Sequence, residues 1–311
     1  MDKRRFDGLR ERAPGLHRFL TSDNKPFPVL REVAVGTLLV GLVLGTLWGF
    51  TGQPIGRSPV VVVESGSMMH CTNGNPNYGV DCEPTRYGRL GFIDPGDLIL
   101  VKDIDGRGDV GTHGNGGEGH YGRSGDVIIF NPDGRGGTPI IHRALFWLEI
   151  HGDGTYTIAE YGLERVDRLT PAGSSTARDR ALTEMQAACA CPNLASHLTH
   201  IGAGPEDSGY ITRGDNNAAA DQGTQSFNYP VKTAWVLGVA RGEIPWLGLV
   251  KLLANDLMGG TDNFAKAGND SKVLLFVTLG VLLGGPVVVE KVRSHRREKR
   301  EKDEHGPTGP T

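Results

Sequence analysis

The sequence predicts a mostly β domain carried between two transmembrane helices, one on its N-terminal and one on its C-terminal side. Three observations lead there. Val33 to Phe50 and Val273 to Val289 are apolar, uncharged runs of 18 and 17 residues. Between them, short β-branched runs are separated by Gly, Pro, Asn and Asp, the punctuation of short strands and turns. Charge is distributed unevenly: residues 1–32 hold 8 Lys/Arg against 5 Asp/Glu, residues 290–311 hold 7 against 5, and residues 51–270 hold 17 against 26. Basic ends around an acidic middle are expected when both tails stay in the cytoplasm.

Residues 1–32 form a basic cytoplasmic tail without the layout of a signal peptide. A helix over 33–50 rises about 27 Å at ~1.5 Å per residue, enough to cross hydrocarbon. Arg31 marks its cytoplasmic end and Trp48 its outer end. The other reading, a buried core helix, is disfavoured because the run has no polar face for solvent.

Residues 51–270 are the external domain. A strand at Val60 to Val63 runs into Ser65-Gly66-Ser67. Residues 70–91, rich in Asn, Gly, Pro and Cys, form an insert. Asp94-Pro95-Gly96-Asp97 makes a turn before a strand at Leu98 to Val101. The segment 105–125 holds nine glycines with His113 and His120 and reads as a mobile surface loop. Strands follow at Val127 to Phe130, at Pro139 to Leu145 and at Tyr156 to Ile158. Residues 163–205 form a further insert with a helical piece near Arg178 to Ala188. Strands at Gly209 to Thr212 and Trp235 to Arg241 complete the domain. The apolar stretch from Ile244 to Val250 serves either as a surface against the bilayer or as core. The second span, 273–289, is interrupted by Gly284-Gly285-Pro286 and followed by Lys291, Arg293, Arg296 and Arg297. Residues 290–311 form a charged cytoplasmic tail.

Cys71, Cys82, Cys189 and Cys191 all lie in the external domain. Four cysteines pair in three ways. A Cys71–Cys82 bridge would close the first insert, and free thiols are the alternative. Cys189 and Cys191 stand too near each other for an easy mutual bridge. Their spacing fits no common zinc pattern, and no metal or other cofactor is expected.

The candidate chemistry rests on Ser67, His142, Asp215 and Asp221. A serine hydroxyl is a weak nucleophile until a base takes its proton, and histidine titrates in the right range. A carboxylate behind the histidine fixes its tautomer and stabilises the imidazolium. The Ser67 backbone N–H and the Ser65 hydroxyl are placed to stabilise an oxyanion. Taken singly, each residue has an ordinary explanation: a serine in a turn, a core histidine, an Asx turn, a surface acid.

The set in order is specific. Ser65-Gly66-Ser67-Met68-Met69, Gly96-Asp97-Leu98-Ile99, Gly125-Asp126-Val127-Ile128-Ile129-Phe130, Ile141-His142-Arg143 and Thr212-Arg213-Gly214-Asp215-Asn216-Asn217 with Asp221 together resemble type I signal peptidases. Histidine ahead of arginine, where bacterial members carry lysine, is similar to the archaeal and endoplasmic-reticulum branch, and the acidic, Arg-over-Lys middle suits a haloarchaeal member. The resemblance implies a compact β catalytic domain on the outer face of the cell membrane. It implies a serine endopeptidase that removes signal peptides from secretory preproteins after small residues at −1 and −3. The partners implied are those preproteins, the lipid bilayer and the protein-translocation channel, with no nucleic acid. Residue by residue, Ser67 matches the nucleophile, His142 the general base and Ser65 the hydroxyl of the oxyanion hole. Asp221 matches the triad acid better, and Asp215 matches a second acid that orients or supports; the sequence leaves the choice open.

The chain departs from the family at His70, where a proline is usual, and at the three inserts. His70 is near enough to Ser67 in sequence to compete as the base, although it stands outside the family's boxes. Three other readings follow from the same residues: a Ser-Lys protease, disfavoured because the Ile141-His142-Arg143 box has no lysine; a non-catalytic membrane-anchored β module; and a metal-dependent surface protein using His113, His120 and the cysteines.

Overall fold

A computed structural model describes residues 26–70, 91–116, 119–134, 136–191, 194, 205–223, 229–260 and 262–304. The first insert apart from its two ends, with Cys71, Cys82 and any bridge between them, lies outside the described residues. The chain divides into two units at Pro59/Val60. In the first, helix α1 spans Pro26–Thr51. It is long and apolar enough to cross a membrane, and its leucines and valines are largely exposed.

The second unit is organised by an antiparallel sheet of eight strands: β1 (Val60–Val62), β2 (Leu98–Lys102), β3 (Val127–Phe130), β4 (Ile140–Ile150), β5 (Tyr156–Ile158), β6 (Leu163–Val166), β7 (Gly209–Arg213) and β8 (Val236–Ile244). Their order is β1-β2-β8-β3-β4-β5-β6, with β7 paired to β4. The last strand in sequence therefore sits in the middle of the sheet. β8 pairs Val239 with Lys102 on one side and with Ile128 on the other.

Strand β3 is buried along its whole length because both faces are covered. Val127 and Ile129 enter a cluster with Val63, Met68 and Ile99; Ile128 and Phe130 enter another with Tyr210 and Val236. A two-sided burial of this kind explains a continuous Val-Ile-Ile-Phe run in place of alternation. β4 is the longest strand. Its first residues pair with β3, its middle with β7 and its end with β5.

Among the described residues helix exceeds strand, so a mostly β chain is not borne out there; two long helices and several short ones account for the excess. α2 (Ala177–Cys189) begins at Thr176, whose side chain accepts from the Asp179 N–H, and packs Leu182, Met185 and Cys189 into the core. α3 (Leu249–Leu257) and α4 (Asn263–Lys266) lead to α5, which runs from Asn269 to Glu304. α5 passes through Gly284-Gly285-Pro286 without a break, and it too is long and apolar enough to cross a membrane.

The segment 163–205 opens with β6, which extends the sheet from β5. Two expectations need correction. The glycine-rich loop 105–125 is tied down, since Arg143 Nη1 donates to the carbonyls of His120, Arg123 and Gly125. Cys189 and Cys191 are joined in a disulfide. The spacing allows it because Ala190 adopts the left-handed conformation (φ 48°, ψ 44°), which turns the chain back and leaves the two Cα atoms 5.1 Å apart, within the usual range for a bridge.

The apolar stretch near 244–258 is partly core and partly exposed. Leu249 and Leu252 are fully buried against Leu275 of α5, whereas Val250, Leu257 and Met258 are exposed. Trp246 Nε1 donates to Thr278 Oγ1 of α5 at 3.2 Å, so the indole is anchored in protein.

Candidate active site

Strand β1 ends at Val62, and the next residues turn sharply, with the Met69 N–H donating to the Gly66 carbonyl. Buried Met68 and Met69 pin the turn into the core, which leaves Ser67 partly exposed between them and the strand. At Gly66 the turn lies close to a flexible side chain: a Cβ there would lie 2.7 Å from Met69 Sδ.

His142 stands opposite Ile128 in the β4–β3 ladder and is 8% exposed. Its Nε2 accepts from the Ser67 hydroxyl at 3.0 Å. Its Nδ1 donates to Asp221 Oδ2 at 2.6 Å. That assignment follows from the carboxylate, which accepts only, and it leaves Nε2 free to take a proton. Asp221 opens a 3-10 turn after β7. Thr212 Oγ1 donates to the same Oδ2 at 2.7 Å, and buried Gln222 holds Thr212 by accepting from its N–H at 2.9 Å.

Asp215 is elsewhere. It is buried and takes a two-point interaction from Arg143, Nε to Oδ1 at 2.8 Å and Nη2 to Oδ2 at 2.6 Å. His70 Nε2 donates to Oδ2 at 2.6 Å. Burial pushes this carboxyl up, but the hydrogen bonds and charges of Arg143 and His70 overcome that and hold it well below the usual range. His70 is thus spoken for by Asp215 and packs edge-on against Phe92.

The loop after β7 also grips the Ser67 backbone. The Asn216 N–H donates to the Ser67 carbonyl at 2.8 Å, and Asn216 Nδ2 donates to the Gly66 carbonyl at 3.0 Å. Gly214 allows this approach, because a Cβ there would lie 2.6 Å from the Ser67 carbonyl oxygen. The sequence reading did not foresee this grip, although Gly214 and Asn216 belong to the box it singled out.

Ser65 Oγ lies 3.2 Å from Ser67 Oγ. The five candidates thus separate into two groups: Ser65, Ser67, His142 and Asp221 in one line, and Asp215 in a neighbouring ion pair. A cleft of about 480 Å³ opens over Ser65, Ser67 and His142, walled by Val62 and Val63 on one side and Thr138 to Ile141 on the other, with Asn263 and Lys266 of α4 contributing to it. His113 and His120 are apart from it: His113 Nδ1 accepts from Ser124 Oγ at 2.6 Å and His120 lies 3.9 Å from Asp126. The line of hydroxyl, imidazole and carboxylate can move a proton from the serine to the histidine and stabilise the resulting cation. No family model matches the chain, nor does any curated protein or solved structure.

Proposed function

We propose that the chain is a membrane-bound serine endopeptidase of the signal-peptidase type, which removes N-terminal signal peptides from secretory preproteins after small residues at −1 and −3. The observation that carries the reading is the line from Ser67 Oγ through His142 to Asp221, with distances of 3.0 and 2.6 Å. In this reading Ser67 attacks the scissile carbonyl and His142 takes its proton, later giving it to the leaving amine. Asp221 fixes the imidazole and stabilises its cation. The Ser67 N–H and the Ser65 hydroxyl face the developing oxyanion, where loss of one donor typically costs about 3 kcal/mol.

The setting suits a substrate whose apolar segment lies in a bilayer. β1 pairs only with β2 among the described strands, and its last residue, Val62, and the following Val63 line the cleft. An extended substrate can add there as a further strand. On this reading, small pockets in the cleft admit alanine and exclude larger side chains. With both tails cytoplasmic, α1 and α5 span the cell membrane and the catalytic domain sits on its extracytoplasmic face, near the translocation channel. Exposed Val250, Leu257 and Met258 give the domain an apolar surface toward lipid.

The test is cleavage of a preprotein carrying an Ala-x-Ala site by the detergent-solubilised chain. Ser67→Ala and His142→Ala should each abolish cleavage while the melting transition is kept. Unchanged cleavage by Ser67→Ala would overturn the reading and leave a membrane-anchored binding module. His142→Lys asks in addition whether this scaffold accepts the base of the bacterial branch.

A further inference from the structure

The disulfide at the end of α2 has no role in the chemistry above, yet it stands one hydrogen bond from the residue before Asp221. The Ala220 N–H donates to the Cys189 carbonyl at 3.0 Å. Cys189 is the last residue of α2, where carbonyls have no partner within the helix and accept from elsewhere. Cys189, Cys191 and Ala220 are all buried in one cluster with Leu182, Met185 and Ile211. Asp221 is therefore held from two directions. From β7, the Gln222 side chain and Thr212 fix it; from α2, the Cys189 carbonyl fixes the peptide just before it.

What aims that carbonyl is the turn at Ala190, whose left-handed conformation is one that residues other than glycine seldom hold. The bond between Cys189 and Cys191 closes the turn on itself. Two separate thiols need more room than a bonded sulfur pair, and in a packed interior that room comes from opening the turn.

We propose that the Cys189–Ala190–Cys191 turn is a positioning element for Asp221, so that turnover by this chain depends on the disulfide being closed. The inference rests on the peptidase reading and concerns the acid of that site. The residues of the turn touch no substrate; they act through the Ala220 peptide. An outer-face location is where such a bridge forms and persists.

The test uses the full chain in detergent, with a water-soluble phosphine as reductant. The phosphine takes the disulfide to two thiols, consumes one water and leaves as its oxide. A Cys71→Ser/Cys82→Ser background removes the other cysteines. In that background, closure of the bridge is first read by mass spectrometry of the Cys189–Cys191 peptide. Reduction should lower kcat about tenfold or more, as small misplacements of a positioned group do, with KM unchanged and recovery on reoxidation. A Cys189→Ala/Cys191→Ala variant should start low and ignore the phosphine. Free thiols in the untreated chain, kcat unmoved by reduction, or equal loss in the Ala/Ala variant would overturn the inference. Failure of the untreated chain to cleave at all would instead overturn the peptidase reading.

Discussion

At the scale of single residues, the sequence singled out Ser67 and His142, which the fold brings within 3.0 Å of each other, but could not separate the acids. Asp215 and Asp221 lie in one box, and chain distance does not say which carboxylate turns toward His142. The deciding partner is Arg143, the neighbour of the base on β4: it takes Asp215 with two hydrogen bonds and leaves Asp221 to the imidazole. His70 follows the same logic, since its partner is Asp215 rather than Ser67. Two predictions belong here. Gly214→Ala puts a methyl group 2.6 Å from the Ser67 carbonyl oxygen and forces the two backbones apart, so it should cut kcat at least tenfold and also lower the melting temperature, as measured by steady-state cleavage and calorimetry. Asp215→Asn leaves the Arg143 guanidinium buried without its counter-charge, a loss of about 3–5 kcal/mol, read by denaturant unfolding. In the wild type, the depressed carboxyl of Asp215 gives stability that is complete above its unfolded value of 3.8 and disappears as pH falls below it. Acid unfolding should be less steep in Asp215→Asn.

At the scale of elements, the strands were legible wherever β-branched runs met turn residues, as at β2, β3 and β7. β6 was not, because Leu163-Glu164-Arg165-Val166 reads as polar and its partner β5 is only three residues long. The ordering of the glycine-rich loop was hidden for another reason: its anchor, Arg143, lies in a different segment, and no local pattern records that contact. The turn before β2 carries a further prediction. Asp97 accepts from the Asp94 and Trp246 N–H groups at 2.9 and 3.0 Å. Burial, with added repulsion from Asp94 and Glu243 and against these two hydrogen bonds, pushes its carboxyl up to about 7. Between pH 3.8 and about 7 the folded chain keeps a proton there that the unfolded chain releases. The contribution of Asp97 is therefore favourable at low pH and declines as pH rises through that window. Thermal melts of Asp97→Asn across the same window should lose that part of the slope; an unchanged slope would contradict it.

At the scale of the whole molecule, two apolar helices and the charge asymmetry were the clearest signals in the sequence, since length and composition suffice for both. The balance of helix and strand was not fully legible, because α3 and α4, unlike the apolar run of α5, interleave polar and apolar residues. Residues 51–270 carry 17 basic against 26 acidic side chains. Like-charge repulsion of this kind is relieved by added salt. The melting temperature should rise between low salt and molar sodium chloride, and equal melting in both would contradict this.

The central place of β8 bears on the timing of synthesis. The strand leading to Ser67 reaches the strand carrying His142 by way of β2, β8 and β3, and no other run of strand pairing joins them. Ser67, His142 and Asp221 have all left the ribosome before residues 236–244 do, yet the run of strand pairing from β1 to β4 is completed only when that last strand slides in. Under the proposed peptidase reading, a chain built in this way is inert while nascent. It acquires its cutting edge only when nearly all of its own polypeptide is out of reach, folded behind it.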